Sequence, residues 1–99
     1  MDYNQSMTET RRLQILRELF AVPTYTLHEV DLKHALKAHA YTVSTDTLRA
    51  DLAWLNEQGL VHTQTPSGIW MATLTARGGD VKDGLTLVPG VARPEPGTN

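Results

Sequence analysis

The sequence predicts a small α+β domain: a three-helix core, a β-hairpin, a short C-terminal helix and an extended tail. Three observations predict it. The run "STDTLRADLAWLNEQ" is a capped amphipathic helix that passes directly into Gly59-Leu60-Val61. The strand-like runs "LVHTQT" and "IWMATLT" flank the turn residues Pro66-Ser67-Gly68. Two further helix-periodic segments lie upstream, separated by a short β-branched and aromatic stretch.

The first helix is expected over residues 8–21. Thr8 or Thr10 can cap it, and Glu9 suits its positive end. Leu13, Ile15, Leu16, Leu19 and Phe20 form an apolar arc, wide for one small core. Pro23 stops the helix. "TYTL" at 24–27 is long enough for one short edge strand. A second helix is expected over 28–39, with Val30, Leu32, Ala35 and Leu36 as its apolar positions and Lys33 and Lys37 on an exposed face.

Ser44 caps the third helix, 45–58, where Leu48, Leu52 and Leu55 make one narrow stripe. Trp54 sits on its flank, and Asp46, Arg49, Ala50, Ala53 and Glu57 fall on the opposite side. Gly59 is placed to end this helix in a left-handed conformation. The hairpin occupies 60–75. A short helix starting near Thr75 is weakened by Gly78, Gly79 and Gly84. The domain is thus expected over 8–84, after a flexible N-terminus at 1–7. Residues 85–99, rich in proline and glycine, read as an extended or disordered arm. The order helix, short strand, helix, helix, hairpin, weak helix is the winged helix-turn-helix arrangement, with the hairpin as the wing.

Composition narrows the classes. A chain of 99 residues holds one small domain. No apolar run approaches the roughly 18 residues of a membrane span, and "MDYNQSMTETRR" has no apolar leader core. There are no cysteines, so disulfides and thiolate metal sites are excluded, which fits a cytoplasmic location. Net charge is −2, giving no general pull toward nucleic acid. Residues 41–60 carry Asp46, Asp51 and Glu57 against Arg49 alone, so the helix of the opening motif is the acidic part of the chain.

"TLRADLAWLNEQGLV" followed by "GIWMATLTARG" resembles winged-helix transcription factors of the ArsR, MarR and PadR kind. More narrowly, "DLAWLNEQGLV", "ATLTARGGDV" and "VPGVARP" are similar to a small family of Mu-like phage and prophage proteins labelled as ArsR-like regulators. The resemblance covers roughly residues 10–94. It implies a prophage-derived, DNA-binding transcriptional regulator. The absence of cysteine departs from the metal-sensing ArsR proteins.

The third helix would then read the major groove, with Ser44, Thr45, Asp46, Thr47, Arg49, Ala50 and Ala53 as candidates. Arg49 suits a bidentate contact to guanine, and small Ala50 and Ala53 allow close approach. Ser44 and Thr45 could donate to phosphate at the helix start. Lys33 and Lys37 could grip the backbone, as could Arg11, Arg12 and Arg17 unless Glu18, Glu29 and Asp31 pair with them. The wing tip offers Gln64 and Ser67 and no base. Asp46 and Glu57 would repel phosphate.

A homodimer is expected through Leu13, Ile15, Leu16, Leu19, Phe20 and Trp54, reading a pseudo-palindrome. His28, His34, His39 and His62 lack metal-ligand spacing. No catalytic constellation or cofactor motif stands out, so no enzyme, metal or cofactor is expected. The alternative reading is a winged-helix protein-interaction module, a phage adaptor binding a phage or host protein. The acidic third helix and uncharged wing favour it.

Overall fold

A computed structural model describes residues 2–95. Helix α1 (Tyr3–Phe20) leads into strand β1 (Thr26–His28), then helices α2 (Glu29–Ala38) and α3 (Thr45–Glu57). Strands β2 (Val61–Gln64) and β3 (Met71–Leu74) follow, and helix α4 (Ala76–Lys82) closes the order. Four helices thus accompany one three-stranded antiparallel sheet, ordered β1-β3-β2. This α+β architecture is compatible with the winged-helix expectation. No helix among the described residues is long and apolar enough to cross a membrane.

The expected start of α1 needs correction. The Asp2 side chain accepts from the Gln5 backbone N–H at 2.7 Å, so the helix begins at Tyr3 and takes up most of the segment expected to be flexible. Thr8 and Thr10 lie inside it rather than capping it, and the Thr10 hydroxyl donates back to the Ser6 carbonyl. Strand β1 also starts later than expected, because Tyr25 takes a left-handed φ of 56°. From there Thr26 pairs with Thr73 and His28 with Met71, which makes β1 an edge strand on β3.

The junction from α3 into the hairpin forms as its sequence predicts. The Ser44 hydroxyl accepts from the Thr47 N–H at 3.0 Å, and Gly59 ends the helix at φ 75°. Thr75 caps α4 by accepting from the Gly78 N–H. Gly78 had counted against this helix. A Cβ there would lie 2.0 Å from the Leu60 carbonyl oxygen, so its bareness is what lets α4 pack against the junction between α3 and β2.

Leu32 and Leu36 of α2 meet Leu48, Leu52 and Leu55 of α3 in one core with Ile15, Leu16 and Leu19 of α1. This overturns the dimer surface expected on α1. Leu13, Ile15, Leu16 and Leu19 are all buried within the subunit. The arc is wide because α1 packs against α2, β3 and α4 at once. Phe20 remains exposed, stacked on Tyr25 with 5.7 Å between ring centres. Val30, expected to face inward, is 58% exposed.

The arm is not disordered over 85–95. Val88 is buried, Val91 packs on the core, and the Ala92 N–H donates to the Glu9 carbonyl at 3.0 Å. Residues 96–99 of the expected arm lie outside the described residues.

Candidate functional site

Helix α2 faces the start of α3 across the connection 39–44. Between them opens a pocket of ≈ 370 Å³ lined by Glu29, Val30, Lys33, His34, Lys37, Thr42, Val43 and Thr45. Its position follows from local sequence. The α2 positions Lys33 and Lys37 are one helical turn apart, so they stack on the same side. Ser44 begins α3 immediately beside them, and Lys33 Nζ donates to the Thr45 hydroxyl at 3.3 Å. The Lys33 ammonium therefore reaches the positive end of a helix, with Lys37 lining the same pocket, an arrangement that attracts anions.

The other candidates are placed less freely than their sequence suggests. Ser44 Oγ accepts from the Thr47 N–H and donates to the Thr47 hydroxyl, so its capping role already occupies it. Asp46 and Ala50 are exposed, while Thr47, Arg49 and Ala53 are half-buried. Gln64 and Ser67 lie exposed on the hairpin and are not among the pocket lining, and Ser67 carries a left-handed φ of 53° in the turn.

Arg49 is held. Its Nε donates to Glu29 Oε1 at 2.9 Å and its Nη2 to Glu29 Oε2 at 3.1 Å. Glu29 is only 7% exposed and also accepts from the Trp70 backbone N–H, while its own N–H donates to the Trp70 carbonyl at 2.8 Å. The Trp70 N–H holds the Glu29 carboxyl below the usual range, helped by Arg49 and opposed by burial. This carboxylate therefore ties α2, α3 and the end of the hairpin together.

A second acid, counted in the sequence only among the charges of the third helix, is buried. Asp51, 2% exposed, accepts from Arg11 Nη2 and from Arg12 Nε, each at 3.2 Å. Arg11 and Arg12 are thereby occupied on the far side of α3 rather than flanking a groove. Glu18 contacts His39 and Asp31 contacts His28. Both buried acids leave a readable signal. Asp51 falls within the apolar stripe of Leu48, Leu52 and Leu55, and Glu29 precedes Leu32 and Leu36 at helical spacing. An acid on an apolar face needs a cation, which points toward the arginines.

Trp54 was expected at a dimer contact. Its ring lies 4.0 Å beneath the Arg12 guanidinium, and a Cβ on Gly90 would approach it to 2.5 Å. The arm therefore covers this side chain within the subunit.

The chain is similar to the uncharacterized protein gp26 of Escherichia phage Mu, 42% identical over 93 residues that span 94% of this chain and 96% of the relative. It belongs to the phage Mu gp26 family. Another relative is an uncharacterized protein of Haemophilus influenzae (strain ATCC 51907 / DSM 11121 / KW20 / Rd), 31% identical over 78 residues, covering 78% of this chain and 76% of that protein. No family model matches the chain. No solved structure matches it. The Mu-like part of the expected resemblance therefore stands within the gp26 family, while the wider ArsR, MarR and PadR likeness gains no matching family model.

Proposed function

We propose that this gp26-family chain is a winged helix-turn-helix protein that binds double-stranded DNA as a transcriptional regulator of a Mu-like prophage. The observation that carries the proposal is the open pocket lined by Lys33, Lys37 and Thr45, with the Lys33 ammonium on the first residue of α3. In this reading the pocket grips a phosphate, and α3 enters the major groove with Thr45, Asp46, Arg49, Ala50 and Ala53 toward the bases. The small side chains of Ala50 and Ala53 suit close approach. The proposal retains a two-fold dimer, with its contact moved from the buried α1 arc to exposed apolar side chains such as Tyr3 and Met7, one turn apart at the start of α1.

The test is fluorescence anisotropy with labelled duplex from the region upstream of the protein's own gene and a scrambled control, at about 50 and 200 mM salt. Sequence-dependent binding that weakens as salt rises is the expected result. Lys33→Ala and Lys37→Ala are expected to weaken binding to both duplexes alike.

A second reading, a protein-interaction module, is favoured by one specific observation. The Arg49 charge is answered by Glu29, which leaves Asp46 and Glu57, without an ion-pair partner among the described residues, on the exposed side of α3. An anisotropy signal that stays flat with either duplex at either salt would transfer the proposal to a basic protein partner.

A further inference from the structure

We infer that Glu29 is a positioning residue for base recognition: it holds the Arg49 side chain so that the Nη1/Nη2 end of the guanidinium is a fixed two-donor fork for the edge of a guanine. The inference rests on the DNA-binding reading and deepens it.

The geometry is specific to one side of the guanidinium. Glu29 takes the Nε–H and one N–H of Nη2, with Oε1 2.9 Å from Nε and Oε2 3.1 Å from Nη2. That side-on pairing uses one fork and leaves the other, both N–H bonds of Nη1 and the second of Nη2. Nη1 has no hydrogen-bond partner among the described residues. The Arg49 side chain is 38% exposed. Two parallel donors match the O6 and N7 acceptors that guanine shows in the major groove.

The carboxylate is itself immobilised. Trp70 donates its N–H to Oε2 and accepts the Glu29 N–H, which adds one backbone bond to the β1–β3 pairing beyond His28 and Met71. The Trp70 ring centre lies 5.9 Å from the guanidinium carbon. The arginine is therefore ordered on folding, and its ordering entropy is not charged to binding.

The pairing also cancels the Arg49 charge. The pair as a whole attracts phosphate weakly while the fork still discriminates bases. This separates positioning from plain structural support, because removing the carboxylate moves two readouts in opposite directions. Without it the arginine is mobile and unneutralised, so base discrimination falls and non-specific affinity rises. Loss of structure lowers both.

The experiment selects bound duplexes from a randomised pool with the full chain, then compares Glu29→Gln and Arg49→Lys by anisotropy on the selected site and on its single-base variants. Thermal melts confirm that each variant is folded. Wild type is expected to fix a guanine at one position of the site. Both variants are expected to lose that preference by about 10-fold or more. Glu29→Gln is expected to bind random duplex more tightly, with a salt slope steeper by about one ion. Arg49→Lys keeps the charge, loses the fork and leaves random binding unchanged. If Glu29→Gln does not fold, Glu29→Asp, which keeps the charge and shortens the reach to Arg49, takes its place and is expected to lose the guanine preference with random binding unchanged. A guanine preference retained in the folded variants overturns the inference while leaving DNA binding intact. A wild-type selection that enriches no sequence overturns both.

Discussion

The Arg12 guanidinium lies 4.0 Å from the centre of the Trp54 ring, and the same group bonds two distant parts of the chain. Its Nε donates to Asp51 on α3 at 3.2 Å, and its Nη1 donates to the Gly90 carbonyl in the arm at 3.1 Å. One side chain from α1 thus fixes the orientation of Trp54, half-neutralises a buried carboxylate and fastens residues 85–95 over them. A planar guanidinium can do all three at once; an ammonium cannot.

Arg12→Ala is expected to destabilise the fold by about 2 kcal/mol, toward the low side for a broken buried pair because Arg11 still answers Asp51. Urea denaturation measures this. Tryptophan emission should shift red as the arm lifts from Trp54. Arg12→Lys should recover little of either. Unchanged stability together with unchanged emission would show that the arm is held without Arg12.

The adjacent glycines of α4 should respond oppositely to alanine. Gly78 faces the Leu60 carbonyl at a Cβ distance of 2.0 Å, so Gly78→Ala must push α4 away and is expected to destabilise by more than about 2 kcal/mol. Gly79 has open space around its Cβ and lies in the same helix, so Gly79→Ala should stabilise by about 0.5–1 kcal/mol. Thermal melting of the two variants settles the sign of each.

Acid should expose the Glu29 contribution. Its folded carboxyl sits below the ordinary value, chiefly because the Trp70 N–H donates to it. The stability it contributes is complete above the ordinary glutamate range, near ~4.3, and is lost as pH falls toward its folded value. Over that window the unfolded chain binds the proton and the folded chain does not. Urea midpoints at pH 7 and about pH 3.5 should therefore differ more for wild type than for Glu29→Gln. Equal differences in the two proteins would mean that the carboxylate gains nothing on folding.

The caps at Asp2 and Ser44 are equivalent in chemistry and unequal in consequence. Each accepts a backbone N–H three residues on. Ser44→Ala should lower global stability by about 1 kcal/mol, since α3 carries a large part of the core. Asp2→Ala should fray only the exposed first turn of α1, visible as faster amide exchange at Gln5 with the urea midpoint unmoved.

Much of this architecture is legible because local chemistry decides it. Ser44, the stripe Leu48-Leu52-Leu55 and Gly59 specify α3 and its stop from within one run of residues. Thr75 announces α4, and Pro66-Ser67-Gly68 the hairpin turn. The pocket is half legible: Lys33 and Lys37 stack by helical spacing, but their meeting with Thr45 requires α2 and α3 to pack. The arc of α1 illustrates the opposite case. Its width is plain in the sequence, yet whether a second subunit or the chain's own α2, β3 and α4 cover it depends on where those elements lie.

The sequence by itself determined the element order, the caps at Ser44 and Thr75, the hairpin turn and the stripe of α3, because each of those rests on residues close together along the chain. Only the tertiary structure decided which charges meet. Glu29 chose Arg49, 20 residues away, and Asp51 chose Arg11 and Arg12, 40 and 39 residues away. An acid on an apolar face requires a cation, but every arginine of the chain satisfies that rule in the sequence. Packing alone brings one of them within hydrogen-bond reach and removes the water that would otherwise serve.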